Sequence, residues 1–345
     1  MAEARAQAGA ILQARPHDLA SWVAWGACEL AQGTDLRALV KACRGYQQVL
    51  PHLHAPVLYL ALLHHRSRAF EECVDLLKPI ASAHPRVLLS QPKVVDCFVA
   101  ACLATNNLNA ATCLHEAAAT LNPLMSSPSL WRVNPAWWAR HEGQSLLFRR
   151  LQPSDAAWLK RVFSQPLFAQ QVNRNYANKV AKMTVSAISK ELERQSPQSP
   201  AVLGALMLVV EERQSGRPIG IACFVSIDAE ARQSELVVGF TEDQSSFRIA
   251  ELSCFLTHLA FKRLRFRRVT TSIYSSNPKL KTLKSTLRKF GFLDEGVLRA
   301  HAMLGPGRFS DVHLMGGMGE EVEASDGFQR HLRRHGPWSE VSMRS

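Results

Sequence analysis

ELVVGF (235–240), TEDQSS (241–246) and FRIAELSCFLTHLAFKRL (247–264) are the stretch on which the reading of this chain turns. The first is an apolar run of single-strand length. The second is polar, and the third carries apolar residues at helical spacing. A β-branched run follows, RVTTSIYSS (268–276), then a turn at Asn277-Pro278 and a basic helix ending in KFGF (289–292). DEGVLRAHAMLGPGRFSDVHLMGG (294–317) closes the segment as strand. Strand, loop, helix, strand, helix, strand in so short a span predicts a compact layout of helices on a sheet.

Working back, ALMLVVEER (205–213) and IGIACFVSID (219–228) flank a turn at SGRP and read as a hairpin. ARQSELVVGF adds the next antiparallel strand. LLFRRLQPSDAAWLKRVFS (146–164) reads as a strand and then a helix capped at Ser154 or Asp155, with Pro166 ending it. The segment 168–196 looks helical with a polar start. Gln170, Gln171, Asn173, Arg174, Asn175 and Tyr176 concentrate hydrogen-bonding groups there. A solvated helix start is the default for such a run, and recognition of an acceptor substrate is the alternative.

Residues 1–125 have a different texture. Helical periodicity runs through 18–31, 34–50, 70–83, 94–105 and 108–121, and the N-terminus reads as the start of a helix. Pro16, Pro51, Pro85 and Pro123 are spaced by 35, 34 and 38 residues, as stacked helix-turn-helix units are. Trp22, Trp25, Gly26, Ala38 and Ala42 ahead of Pro51 resemble a tetratricopeptide repeat. Such an array either presents a groove to a protein partner or packs for stability, including in a homodimer. His52, His54, His64 and His65 have no carboxylate or cysteine at ligand spacing, so surface or capping roles are expected rather than a metal. Residues 126–145 form a linker whose Trp131, Trp137 and Trp138 are too apolar for a free tether. The tail, 318–345, has little periodicity and is expected to be partly disordered or docked on a neighbouring surface.

Composition narrows the class. Apolar residues make up 47% of the 345, enough to build cores, and no apolar run is long enough to span a membrane. The eight cysteines include no Cys-x-x-Cys pair and sit mostly on apolar helical faces, as buried reduced thiols of a cytoplasmic protein do. The net charge of +12 is concentrated. Lys262, Arg263, Arg265, Arg267, Arg268, Lys279, Lys281, Lys284, Arg288 and Lys289 fall between Leu252 and Leu293, where there is no Asp or Glu. Such a field attracts a polyanion. Nucleic acid is unlikely on this sequence alone, because no nucleic-acid motif accompanies the charge.

The joint order of Glu235-x-x-x-Gly239, Ala260-Phe261 ending the helix, Asn277 after the next strand, and Gly291-Phe292 resembles the GNAT superfamily of acetyltransferases. Glu295-Gly296-x-x-Arg299 and Gly307-Arg308-Phe309-x-Asp311 complete the set, and the pattern is similar to the branch that acetylates ribosomal-protein N-termini and related amines. The resemblance spans 146–317. It implies an α+β chain: a helical-repeat array, then a mixed, mostly antiparallel sheet flanked by helices. It also implies acetyl-CoA as cofactor and a primary amine as acceptor, whether a small molecule, a sugar amine or a protein N-terminus.

The same resemblance distributes roles. The main chain of Val237, Val238, Gly239 and Phe240 would meet the pantetheine and thioester. Gln244, Ser245, Ser246, Phe247, Arg248, Ile249 and Ala250 would present N–H groups to the pyrophosphate at a helix start. Glu235 would take the proton from the acceptor ammonium, or else serve as a strand-end glutamate paired with arginine. Tyr274 would protonate the leaving thiolate or else serve as a core tyrosine. Asn277 would sit near the pantetheine or shape its turn, and Arg299 with Asp311 would hold the last strands together. Two departures stand out. Phe247 and Ile249 occupy the small-residue places of the loop Arg/Gln-x-x-Gly-x-Gly/Ala, and Leu280 replaces the serine often found after the Asn. The alternative is therefore a non-catalytic GNAT-like module that binds a partner through its repeats and basic face.

Overall fold

The computed structural model describes residues 2–121, 127–165, 168, 171–172, 174–277, 279–305 and 307–341. The chain divides into two compact units, Met1–Asn134 and Pro135–Ser345. Among the described residues no helix is long and apolar enough to cross a membrane.

The described part of the first unit is helical and contains no strand. Its helices are α1 (Ala2–Ala14), α2 (Leu19–Ala31), α3 (Leu36–Val49), α4 (His54–Arg66), α5 (Phe70–Ala83), α6 (Pro85–Leu89), α7 (Pro92–Ala104), α8 (Leu108–Leu121) and α9 (Pro128–Arg132). Asp18 and Asp35 start α2 and α3 by accepting the N–H of Ala20 and Ala38. Proline opens α6, α7 and α9, where its missing N–H is no loss. Pro123 lies outside the described residues.

Besides the short α6 and α9, one long helix, α4, escaped the periodicity. In α4, Ala55, Leu58, Tyr59, Leu60, Ala61, Leu63 and His64 are all buried, so no polar stripe marks a face. His64 is thus a core residue rather than a surface one, and burial pushes its imidazole below the ordinary value. Around it, Trp22 donates to the Pro16 carbonyl at 2.8 Å and packs edge-on against Trp25 and Tyr46. A Cβ on Gly26 would fall on the Tyr59 hydroxyl, so only glycine lets α2 and α4 approach this closely.

The second unit is one nine-stranded sheet with helices on both faces. Its strands are β1 (Arg140–Glu142), β2 (Leu146–Arg150), β3 (Leu206–Glu212), β4 (Pro218–Asp228), β5 (Gln233–Phe240), β6 (Arg268–Tyr274), β7 (Leu293–Gly305), β8 (Arg308–Met318) and β9 (Ser339–Val341). They lie in the order β7-β8-β6-β5-β4-β3-β2-β1-β9. Among the described residues only β5 and β6 pair in parallel; the other pairings are antiparallel. The chain is α+β, and the sheet is the mixed, mostly antiparallel one expected.

The helices of this unit are α10 (Ala156–Phe163), α11 (Arg174–Lys182), α12 (Val185–Gln195), α13 (Pro200–Leu203), α14 (Ser246–His258), α15 (Leu280–Lys289), α16 (Gly319–Ala324) and α17 (Asp326–His335). α10, α11 and α12 cover one face, packing Leu159, Val162, Ile188 and Leu192 on Val209, Ile221 and Cys223. α14 covers the other, where Phe255 stacks on Phe148 at 3.7 Å. Arg149 on β2 fixes the start of α10: it holds Asp155 through two hydrogen bonds, at 2.7 and 2.9 Å, and Glu211 through Nη2 at 2.6 Å.

Two expectations need correction. The closing segment is not one strand but a long hairpin, β7 with β8. Within it Arg299 and Asp311 do not pair among the described residues; a bulge between Leu298 and Ala302 turns the Ala300 backbone to φ 48°, and Asp311 accepts its N–H at 2.7 Å. The expected linker is built into both units: α9 belongs to the first, while in the second Trp137 is fully buried against Phe266 and β1 joins the sheet. The described part of the tail, up to 341, follows the docked alternative. Phe328 of α17 is buried against Phe290, Trp338 packs on Phe255 and His258, and β9 pairs with β1 at the sheet edge.

Candidate active site

β5 and β6 are paired only at Gln233↔Arg268, Ser234↔Val269 and Glu235↔Thr270. Beyond that point the two strands part, and 236–240 and 271–274 face one another across a split in the sheet. On its other side β5 stays paired to β4 up to Gly220↔Phe240. The Thr241 N–H donates to the Ile219 carbonyl at 3.0 Å, on the β4 side. Antiparallel pairing alternates, so the N–H and C=O of Leu236, Val238 and Phe240 point away from β4, into the split. At Leu236 and Val238 an edge of peptide groups is thereby turned toward the split in the middle of a sheet.

The register also assigns faces. Glu235, Val237 and Gly239 share the α10–α12 face, because they pair with Val225, Cys223 and Ile221. A Cβ on Gly239 would lie 2.8 Å from the Phe168 ring, so this glycine lets the segment after α10 sit on the strand itself. Thr270, Ser272 and Tyr274 of β6 share that face with Glu235. Glu235 is half-buried, with no ion pair among the described residues, and is therefore not the arginine-paired strand end. The Tyr274 phenol is pushed above its ordinary value, first by burial and then by the Glu235 carboxylate. These two residues thus come within electrostatic reach of each other at the split.

At the outer end of β5, Ser245 caps α14 by accepting the Arg248 N–H at 3.3 Å. Ser246 opens the helix. Phe247 is 39% exposed and turns its ring onto His335 of α17, with ring centroids 4.9 Å apart. Ile249 turns into the core and is 6% exposed. The two bulky residues are therefore packing residues, one of them the seat of the C-terminal helix. Ala250 is half-buried in the same turn. Arg248 is spoken for: its guanidinium pairs with Glu212 and reaches the Gln244 side chain at 3.2 Å. Gln244 is buried, and its carbonyl accepts from Lys279 Nζ at 3.3 Å. Lys279 also faces Asp243 at 3.3 Å, so it bridges the loop after β5 to the start of α15. Asn277 shapes that start, accepting the Lys279 N–H at 2.9 Å through its side chain.

The basic cluster is partly neutralised by residues that follow it in sequence. Lys284 and Arg288 both pair with Asp294, Arg268 with Glu295 and Lys262 with Glu323. The acidic partners arrive through β7 and α16, which a window along the chain does not include. Gln171 is the contributor least marked in the sequence. Its side chain bonds both the N–H and the C=O of Phe240.

No known family profile matches the chain, and no curated protein matches it in sequence. Among solved structures it is similar to a spermidine N-acetyltransferase of Vibrio cholerae in complex with CoA and spermine, at 17% identity and a TM-score of 0.43, over 52% of this chain and 98% of that one. It is also similar to a spermidine N-acetyltransferase chimera from Vibrio cholerae, at 18% identity and a TM-score of 0.43, over 52% of this chain and 99% of that one.

Proposed function

We propose that the second unit is a GNAT-type N-acetyltransferase that moves an acetyl group from acetyl-CoA to a primary amine. The observation that carries this reading is the split between β5 and β6, with Glu235 and Tyr274 on one face and the start of α14 at its outer end. The residues present fit the cofactor. The edge at Leu236 and Val238 offers N–H and C=O groups to amides, while Gln171 takes those of Phe240. Phe247 and Ile249 turn away from the first turn of α14, which leaves its main chain to hold phosphate together with the Lys279 cation. Acetyl-CoA supplies an acetyl group already activated as a thioester.

The chain's own residues then have definite tasks. Glu235 accepts the proton of the acceptor ammonium, because an amine attacks only as the free base. The Tyr274 phenol, held protonated by burial, keeps a proton at the split for the departing sulfur. Val237 and Gly239 shape the floor on the acceptor side. Positioning carries most of the acceleration, since the reacting groups are otherwise ready.

The first unit, on the same footing, is read as a tetratricopeptide-like array for a peptide partner. One cavity in it, of about 840 Å³, is bordered by Arg15, His17, His52 and His54. Calorimetry with a glutamate-rich peptide tests that reading, and the absence of saturable heat sinks it.

The test of the enzyme reading is thiol release from acetyl-CoA with a panel of polyamines, amino sugars and peptides with free N-termini. Transfer to at least one class is expected. Binding of acetyl-CoA with no transfer to any amine favours the non-catalytic module instead.

A further inference from the structure

Gln171 lies on the short segment between α10 and α11, on the face shared by Glu235 and Gly239. Phe168 and Val172 of that segment press on Gly239. The Gln171 side chain reaches past them to the end of β5. The Phe240 N–H donates to Gln171 Oε1 at 3.0 Å, and Gln171 Nε2 donates to the Phe240 carbonyl at 3.2 Å. Both Phe240 groups point into the split, where β6 no longer pairs. One planar amide thus makes there the two bonds that a neighbouring strand would make to a single residue.

We propose that Gln171 is a positioning residue: an amide latch that locks the acceptor-side segment to the cofactor-side strand. The 168–172 segment and β5 belong to separate parts of the chain, and Phe240 is where the latch joins them. Unlatched, Phe168 and Val172 touch Gly239 through apolar contact, which is non-directional and fixes no register. The catalytic part of this inference rests on the acetyltransferase reading; the latch itself does not.

The side-chain chemistry supplies a discriminating pair of variants. Gln171→Ala removes both bonds. Gln171→Glu is isosteric, but when ionised it can only accept, and it sets a carboxylate against the Phe240 carbonyl. Protonated, it regains one donor and one acceptor and can latch again. Hydrogen exchange of the full-length protein, read at the Phe240 amide and corrected for intrinsic rates, is the first measurement. Protection at Phe240 is expected to fall at least about tenfold in Gln171→Ala and much less in Gln171→Glu, whose carboxylate still accepts the Phe240 N–H and loses only the bond to the carbonyl. The second measurement is steady-state kinetics: the KM for the amine is expected to rise about tenfold in Gln171→Ala, with kcat and acetyl-CoA affinity within about twofold. Unchanged Phe240 protection in Gln171→Ala overturns the latch. Lost protection with an unchanged amine KM overturns the positioning role. A wild-type protein with a protected Phe240 amide but no transfer to any amine overturns the acetyltransferase reading and leaves the latch standing.

Discussion

Acidification is expected to weaken the second unit through His141. This imidazole lies on β1 facing α14, 3% exposed, with its ring 5.2 Å from Phe255 and no partner for Nε2. Burial first, then the nearby Arg263 and His258, depress it from the ordinary 6.5 to about 4. A histidine depressed in this way contributes stability that is intact above the unfolded value and is lost as pH falls toward the folded one. The window is therefore 6.5 down to about 4. Near pH 5 the unfolded imidazole is charged and the folded one is not, which removes about 2 kcal/mol from the folding free energy at ~1.36 kcal/mol per decade. His258 is depressed to about 4 as well, by burial and then by Arg263 and Lys262, and adds in the same direction. It is more exposed, so water screens part of its effect. Urea unfolding near pH 7.5 and near pH 5, read by hydrogen exchange of peptides covering β1 and β2, measures the loss. In His141→Gln, which cannot titrate, the acid loss should shrink by about 2 kcal/mol. An acid loss equal in wild type and variant refutes the argument.

Other outcomes follow from single contacts. Glu235→Gln is expected to lower turnover roughly 100-fold, the usual scale for losing a general base, with acetyl-CoA affinity retained; near-normal turnover assigns the proton elsewhere. Arg149→Met leaves Asp155 and Glu211 without their cation and should cost about 3 kcal/mol in urea unfolding. Gly26→Ala should destabilise the first unit by about 1–3 kcal/mol through overpacking against Tyr59, and Tyr59→Phe should restore part of it in the double variant. Phe247→Gly removes the seat of His335 and should speed exchange across α17 while leaving β9 paired.

Strands β3 to β6 were legible because turn chemistry bounds them and they carry β-branched residues, from ELVVGF to RVTTSIYSS; the three-residue β1 and β9 were too short to mark, and β7 with β8 read as one strand. The helices of the first unit showed through their polar stripes, and α4 did not because it has none. Glu235 and Tyr274 could be named from the sequence as candidates. Their shared face could not, since it depends on the register Glu235↔Thr270 between strands that an intervening helix separates. Phe247 and Ile249 looked like obstacles to phosphate because sequence does not say which way a ring turns; the C-terminal helix that takes Phe247 is 88 residues away at His335. The basic run lost its apparent isolation for a similar reason, as Asp294 and Glu323 fold back on it. Gln171 belonged to a polar run that suggested hydrogen bonding without indicating a partner, and Phe240 is far along the chain.

The central claim, that the split between β5 and β6 holds acetyl-CoA, is tested most directly by titrating acetyl-CoA into the full-length protein with calorimetry and thermal melting side by side. A single saturable site is predicted. At about 100 times the dissociation constant it should stabilise the fold by about 2.7 kcal/mol, with a smaller gain for the 3′-dephosphorylated cofactor if the lysines of α15 contribute. No heat and no thermal shift at millimolar acetyl-CoA would contradict it.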